Sequence, residues 1–498
     1  MGRGVEMKTG ECMRGSNSHC GSPPGLANNI CPIEGRKCIL VIGLKSFHIS
    51  FQTLFQQFAM EDRSAQIRDA LAAGPVASES LRARLQISRA TLGRAIAQMA
   101  GEIVRIGAAS ATRYALRDRF RPLPEIAVYR VNATGQIAPL GTLYPVRPEG
   151  FVMVQTDGVI THHEGLPWWI IDMRPQGFLG QAYAHRYAPG LGLPADVRHW
   201  SDTDALRALL VSGADPVGNL LLGEVARDHF VNAPEPQGYA PADYPRLAAQ
   251  AINADATWSS AAGEQPKFCA LSPAGHVLVK FTAAQASPVS ARWRDLLVAE
   301  HLALETLHSA GIAAARSRLL DVGTQRFLEL ERFDRVGLHG RRALISLASL
   351  DGEFVGNAMA PWPVITAQLA QSGVITPDAH ARAALLFAFG TLIGNTDMHA
   401  GNLSFVTDSG RPYALSPAYD MLPMAFSPSS GGILRDNVTA AHLHSAVAGA
   451  TWRFALGLAR GYLARLLEEK QLSPSFKPCL QALDEMQLRA AQNIAKLD

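Results

Sequence analysis

Gly394-Asn-Thr-Asp-Met-His-Ala-Gly-Asn-Leu-Ser-Phe405 is a short polar turn that carries an acid, Asp397, an imidazole, His399, and a carboxamide, Asn402. It follows Ala383-Ala-Leu-Leu-Phe-Ala-Phe-Gly-Thr-Leu-Ile393, which is apolar enough to form a buried helix and anchor the turn from behind. Downstream, Leu415-Ser-Pro-Ala-Tyr-Asp420 places a second isolated acid at the end of a short apolar segment. Two acids and an asparagine are what a phosphoryl-transfer site requires, with Asp397 to accept a hydroxyl proton and Asn402 and Asp420 to hold Mg²⁺ on nucleotide phosphates. The interval from Asp397 to Asn402 is that of a protein-kinase catalytic loop. A solvated turn capped by Asn and Asp uses the same residue types, so elements upstream have to decide between the two.

The chain has 498 residues, 48% hydrophobic and 18% charged, which is enough to bury large cores in roughly three domains. A net charge of +3 is too mild to argue for nucleic acid, so any basic surface has to be local. No uninterrupted apolar run approaches the ~18 residues needed to span a bilayer. A cytoplasmic location and no membrane partner are therefore expected. Cys12, Cys20, Cys31 and Cys38 crowd the beginning, in spacings unlike paired zinc ligands, and only Cys269 and Cys479 follow. Residues 1–59 lack clear periodicity and read as a disordered or non-native extension, with translation expected to start at Met60.

Between Ser64 and Phe120 nine arginines face four acids, so most of the positive charge is concentrated there. Helices are expected at about Ala65–Ala73, from Ser78 as cap to Leu85, and from Ser88 as cap to Ala100. In the third, Leu92, Ile96 and Met99 face inward and leave Arg89, Thr91, Arg94 and Gln98 outside. Ile103-Val-Arg-Ile and Thr112-Arg-Tyr-Ala-Leu116 read as a hairpin, which completes a winged helix-turn-helix. A DNA-binding reading puts Arg89, Thr91 and Arg94 in the major groove and Arg113, on the wing, against phosphate. A three-helix protein-interaction module with a solvated arginine face is the alternative.

After the linker Arg119-Phe-Arg-Pro-Leu-Pro124, short strands are expected at Ile126–Val131, Gly150–Val154 and Leu166–Met173, a small β-rich subdomain. The Trp168-Trp169 pair reads as buried packing, with a ligand platform as the alternative. Further on, Ser259-Ser-Ala-Ala-Gly-Glu-Gln-Pro-Lys-Phe268 reads as a flexible loop that enters a hairpin and is unlike a Walker A sequence. In the strand His276-Val-Leu-Val-Lys-Phe281, period two sets Leu278 and Lys280 on the face opposite Val277, Val279 and Phe281. A mid-strand lysine needs a partner, and the helix Trp293–Ala310 offers Glu300, with Glu305 as the alternative. A strand lysine paired with a helix glutamate is the ion pair that orients nucleotide phosphates in a kinase N-lobe. His399 either supports Asp397 or caps its own turn.

In this order and spacing the chain resembles the HipA-like serine/threonine kinases, toxin components of bacterial toxin–antitoxin modules, in the branch that carries a preceding helix-turn-helix. The resemblance implies an α+β, two-lobed protein-kinase-like fold behind a winged helix-turn-helix. The expected units are 60–120, a β-rich subdomain 121–250, a kinase N-lobe 251–335 and a helical C-lobe 336–498. It implies a phosphate loop of Ser260, Ala261, Ala262, Gly263, Glu264 and Gln265, with Ser260 as the autophosphorylation position. It also implies a hinge, Glu331-Arg-Phe-Asp-Arg335, whose backbone at Glu331 and Phe333 contacts adenine; a salt-bridged turn is the alternative for these side chains. Leu344-Ile-Ser-Leu-Ala-Ser-Leu-Asp-Gly352 departs from the family where an acidic, Gln-containing helix start is common. The implied activity is transfer of the ATP γ-phosphate to a protein Ser or Thr, with Mg²⁺, DNA, and an antitoxin or second copy as partners. The contrasting function is a DNA-binding regulator whose kinase-like domain only senses nucleotide.

Overall fold

The computed structural model describes residues 62–213, 215–254 and 265–497. The reading of a start at Met60, and the phosphate-loop residues Ser260 to Glu264, lie outside the described residues. Helix α1 (62–71), strand β1 (Val76–Ala77), helices α2 (Ser78–Leu85) and α3 (Arg89–Gln98) and strands β2 (Ile103–Ile106) and β3 (Arg113–Leu116) come first. The strands form an antiparallel sheet in the order β1-β3-β2. Ile67, Leu71, Leu81, Leu92 and Met99 make one small core beneath the helices. Ser88 caps α3, its Oγ accepting the Thr91 N–H at 3.1 Å. Ser78 does not cap α2. It is the first helical residue, its N–H is taken by the Thr112 carbonyl at 2.9 Å, and Ala77 holds the cap position because β1 runs directly into the helix.

The middle region is a five-stranded antiparallel sheet of β4 (Ile126–Val131), β5 (Ile137–Pro145), β6 (Phe151–Gln155), β7 (Ile160–His163) and β8 (Leu220–Leu222), in the order β7-β6-β5-β4-β8. Helices α4 (Trp168–Ile171), α5 (Gly177–Leu191) and α6 (Asp202–Ser212) pass between β7 and β8, and α7 (Gly223–Val231) follows. The strand expected at Leu166–Met173 is instead the single turn α4, entered from Pro167, whose fixed φ suits a helix start. Gly177-Phe-Leu-Gly180 opens α5, and a Cβ at Gly180 would lie 2.6 Å from the Pro175 carbonyl carbon, so the tight entry into this helix requires glycine.

Helix α8 (Tyr244–Ala254) leads into a lobe built on β9 (Lys267–Ser272), β10 (Gly275–Phe281), α9 (Pro288–Ser309), β11 (Ser317–Val322) and β12 (Gln325–Glu331). The sheet order is β11-β12-β10-β9, antiparallel throughout. Period two sorts β10 as expected. Val277, Val279 and Phe281 pack with Tyr244, Phe268 and Phe327 on the outer face, while Leu278 and Lys280 turn toward α9 and the interior. Ser287 caps α9 with Pro288 at its first turn, and this start fixes which face of the helix meets the sheet.

Short strands β13 (Arg335–Val336) and β14 (Gly340–Arg341) precede the helical lobe: β15 (Ala343–Ser346), α10 (Leu347–Phe354), α11 (Trp362–Gln371), α12 (Pro377–Leu392), β16 (Ser404–Thr407), β17 (Ala414–Leu415), α13 (Gly449–Glu468) and α14 (Lys477–Ile494). Helix α12 contains the apolar run read from the sequence and ends against the polar turn. Gln487 of α14, wholly buried, donates to the carbonyls of Leu392 and Ala459, which ties the end of α12 to the middle of α13. Tyr462 of α13 donates to the Ala299 carbonyl at 3.1 Å, so the helical lobe is bonded directly to α9.

Candidate active site

Lys280 is 3% exposed and Glu300 0%, and the lysine Nζ donates to both Glu300 oxygens at 2.7 Å. Lys280 also bonds directly to Asp420. Helix α9 therefore chooses Glu300 over Glu305, because only Glu300 points into the gap between β10 and the helical lobe. One ammonium is shared by two carboxylates, and Lys267 adds its positive charge to both. Burial opposes the charge on Lys280, but Asp420 and Glu300 outweigh it and hold the lysine above its ordinary value. For Asp420, burial pushes upward, yet Lys280 and then Lys267 keep it below the usual carboxylate range. Glu300, with no route to water, is raised by burial despite Lys280.

The polar turn at Asp397 is braced from a residue that the sequence reading passed over. Asn395, 5% exposed, accepts the Asp397 N–H at 3.0 Å and donates to the Asp420 carbonyl at 3.1 Å, so one carboxamide links the two acids' backbones. The signal was present, since a polar residue at the end of a buried helix has to find partners. Asn402 donates to the Asp397 carbonyl at 2.8 Å, closing the turn. Asp397 itself is exposed. His399 serves as the turn's cap, its Nδ1 accepting the Gly401 N–H at 3.0 Å, and the expected role as support for the Asp397 carboxylate has no bond behind it. Asp420 adopts φ +53°, a left-handed conformation that costs a non-glycine residue energy and sets its carboxylate toward Lys280.

A cleft of about 550 Å³ runs from this cluster to the hinge, lined by Lys267, Leu278, Leu330, Phe333, Tyr419 and Asp420 among others. Phe333 and Tyr419 face one another with centroids 5.8 Å apart. Tyr419 in turn is held by Ser404 at 2.7 Å and by the Gly401 carbonyl at 3.1 Å. Glu331 and Phe333 both line the cleft, and the charged side chains around them form a salt-bridged turn. Asp334 binds Arg332 and Arg335, and Asp215 of the middle region binds the same two arginines. The middle region contributes a further wall through Asp172, whose oxygens accept from Ser346 N–H at 2.7 Å and Ser346 Oγ at 2.6 Å. Burial raises the Asp172 carboxyl despite those bonds. Of the expected phosphate loop only Gln265 is described, bonded to the Phe281 carbonyl.

At the other end of the chain, Arg89 and Arg94 are exposed on α3 and Thr91 is half-buried, its hydroxyl 2.9 Å from that of Ser88. Arg113 points elsewhere. It donates to the Pro75 carbonyl at 3.3 Å and lines a cleft with Glu149 and His162 of the middle region.

Two family profiles match the chain: "YjjJ-like toxin, middle domain" over residues 123–231, and "HipA-like C-terminal domain" over 259–491. A curated protein of Escherichia coli (strain K12), Toxin YjjJ, is 38% identical over 444 residues, which cover 87% of this chain and 99% of the relative. The chain belongs to the HipA-like toxin family. Within it, the middle sheet with its helices belongs to the YjjJ-like part, and the two lobes around the Lys280 cluster to the HipA-like part. Among solved structures, the HipA, HipB and operator DNA complex of the Shewanella oneidensis MR-1 toxin–antitoxin system matches with a TM-score of 0.49 at 15% identity, covering 73% of this chain and 97% of that chain. The Helicobacter pylori proinflammatory kinase CtkA matches with a TM-score of 0.35 at 14% identity, covering 47% and 92%. No helix among the described residues is long and apolar enough to cross a membrane.

Proposed function

We infer that this chain is a Mg-ATP-dependent kinase that transfers the γ-phosphate to a serine or threonine hydroxyl of a protein and acts as a growth-inhibiting toxin. The observation that carries the reading is the buried Glu300–Lys280–Asp420 cluster at the inner end of a cleft whose outer end is the hinge. Glu300 anchors the lysine through two bonds, so its ammonium stays aimed into the cleft and can bind phosphate oxygens in place of Asp420. Lys267, opposite Lys280 in the sheet, adds a second positive charge there. The residues present fit Mg²⁺. Asp420 offers a carboxylate that Lys280 and Lys267 keep ionised, and Asn402, its amide nitrogen engaged by Asp397, keeps a carbonyl oxygen free for a hard cation. Bound there, Mg²⁺ would neutralise charge on the phosphates. Asp397, exposed on a turn that Asn395 ties to the Asp420 backbone, accepts the proton of the incoming hydroxyl. Leu278, Phe333 and Tyr419 provide the apolar surfaces for a base and exclude water from the phosphates. Ser260 is the expected site of self-modification.

The amino-terminal helices are read as a winged helix-turn-helix that presents Arg89, Thr91 and Arg94 to DNA. Arg113 is a weaker candidate, since it is turned toward the middle region. An antitoxin or a second copy would complete specific recognition. The test is to incubate the full chain with labelled Mg-ATP beside Asp397→Asn and to locate phosphate by mass spectrometry. Label on Ser260 or another hydroxyl that vanishes in the variant supports the kinase. ATP binding without any transfer refutes it and leaves a nucleotide-responsive DNA binder.

A further inference from the structure

A second cavity of about 260 Å³ lies between the β4–β6 part of the middle sheet and the small sheet β15–β17, and Trp168, Trp169 and Tyr413 form its aromatic walls. The tryptophan pair is partly packing. Trp168 meets Phe354 edge-on with centroids 5.4 Å apart, and Trp169 meets His163 at 6.5 Å. Both rings nonetheless remain half-buried and face this space.

Two polar groups open onto this space without a protein partner. Asn219 is 8% exposed and Tyr413 is 6% exposed, and both line the cavity. Neither the Asn219 carboxamide nor the Tyr413 hydroxyl has a hydrogen-bond partner among the described residues. Both present their polar atoms to the cavity, where water or a ligand can bond them. The charges at the rim are unequal. Asp408 lies 3.5 Å from Arg342, and Asp172 is committed to Ser346, whereas Arg130 lines the cavity with no ion-pair partner among the described residues; burial raises the Tyr413 hydroxyl, against the positive charges of Arg411 and then Arg130. The space equals about nine water volumes, the bulk of a one- or two-ring compound.

We propose that this cavity is a binding site for a small aromatic carboxylate. The ring lies against the indoles of Trp168 and Trp169, the carboxylate pairs with Arg130, and Asn219 and the Tyr413 hydroxyl bond its polar edge. The site is separate from the Lys280 cluster and does not depend on the kinase reading. It shares Asp172, Met173, Val217 and Leu344 with the wall of the larger cleft, so an occupant would press on that wall.

The test uses the full chain with benzoate, anthranilate and indole-3-acetate as probes, and indole and tryptamine as neutral and cationic counterparts, read by saturation-transfer NMR and calorimetry. At least one carboxylate should bind, and the cation should bind at least roughly tenfold more weakly, the factor that loss of one charged contact gives. Arg130→Ala and Asn219→Leu should each weaken the carboxylate by a similar factor. Arg130 is exposed, so its variant folds and decides the matter even if Asn219→Leu does not. Absence of binding by all three carboxylates, equal binding of tryptamine, or an unchanged affinity in Arg130→Ala would overturn the proposal.

Discussion

Replacing Lys280 with methionine removes the one cation between two carboxylates. Glu300 then stands wholly buried, and it loses two bonds of 2.7 Å. Removing one partner of a buried pair costs about 3–5 kcal/mol, because the remaining charge has no compensation. Glu300 escapes by taking up a proton on folding, which burial already favours. Its folded carboxyl lies above the unfolded one, so the variant loses stability as pH rises above about 4.3, at roughly 1.4 kcal/mol per unit until the folded value is passed. The deficit against the natural chain is therefore small near pH 5 and large near pH 8. Urea unfolding followed by tryptophan fluorescence at several pH values measures it. The double variant Lys280→Met with Glu300→Met should recover most of the loss, because an apolar pair of similar bulk replaces a buried ion pair at little cost. A deficit below about 1 kcal/mol at pH 8, a deficit that does not change with pH, or a double variant as unstable as the single one would refute the reasoning.

Asn395→Ala leaves the Asp397 N–H and the Asp420 carbonyl without their partner, which costs about 1–3 kcal/mol in unfolding experiments. In the same variant phosphoryl transfer should fall much further than ATP affinity, since the two acids lose their common brace. Asp172 is raised by burial, so its ionisation opposes folding and stability declines as pH climbs from the unfolded aspartate value, about 3.9, to the raised folded one. Asp172→Asn should flatten that decline in a pH series of thermal melts; an unaltered slope assigns it to another group. Arg89→Ala and Arg94→Ala should each weaken binding to the specific site by about 1–3 kcal/mol and relax the sequence preference at the base pair contacted. Binding curves that match the natural chain at every salt concentration would leave the arginine face with a protein partner instead.

Much of the site was legible because its chemistry is local. The Asp397 to Asn402 interval lies within one turn, and the apolar helix before it is continuous in sequence. Alternation in β10 alone placed Lys280 opposite Val277, Val279 and Phe281, and the structure puts it there. Where local signals competed, the reading failed. Leu166–Met173 has the residues of a strand, but Pro167 starts a helical turn that the packing of Trp168 and Trp169 on two different cores holds in place. Ser78 has the residue type of a cap, yet a long-range bond to Thr112 claims its N–H.

The sequence by itself determined where the strand of Lys280, the helix of Glu300 and the polar turn of Asp397 would lie, because strand period, helix caps and turn composition act over a few residues. Tertiary structure alone decided the partners. It chose Glu300 over Glu305, set Lys280 on Asp420 across 140 positions, made His399 a cap, and built one wall of the cleft from Asp172 of the middle region. It also opened the cavity around Asn219 and Tyr413. Such choices depend on which faces meet when distant elements pack, and burial of the apolar stripes on α9, α12 and β10 settles those faces together.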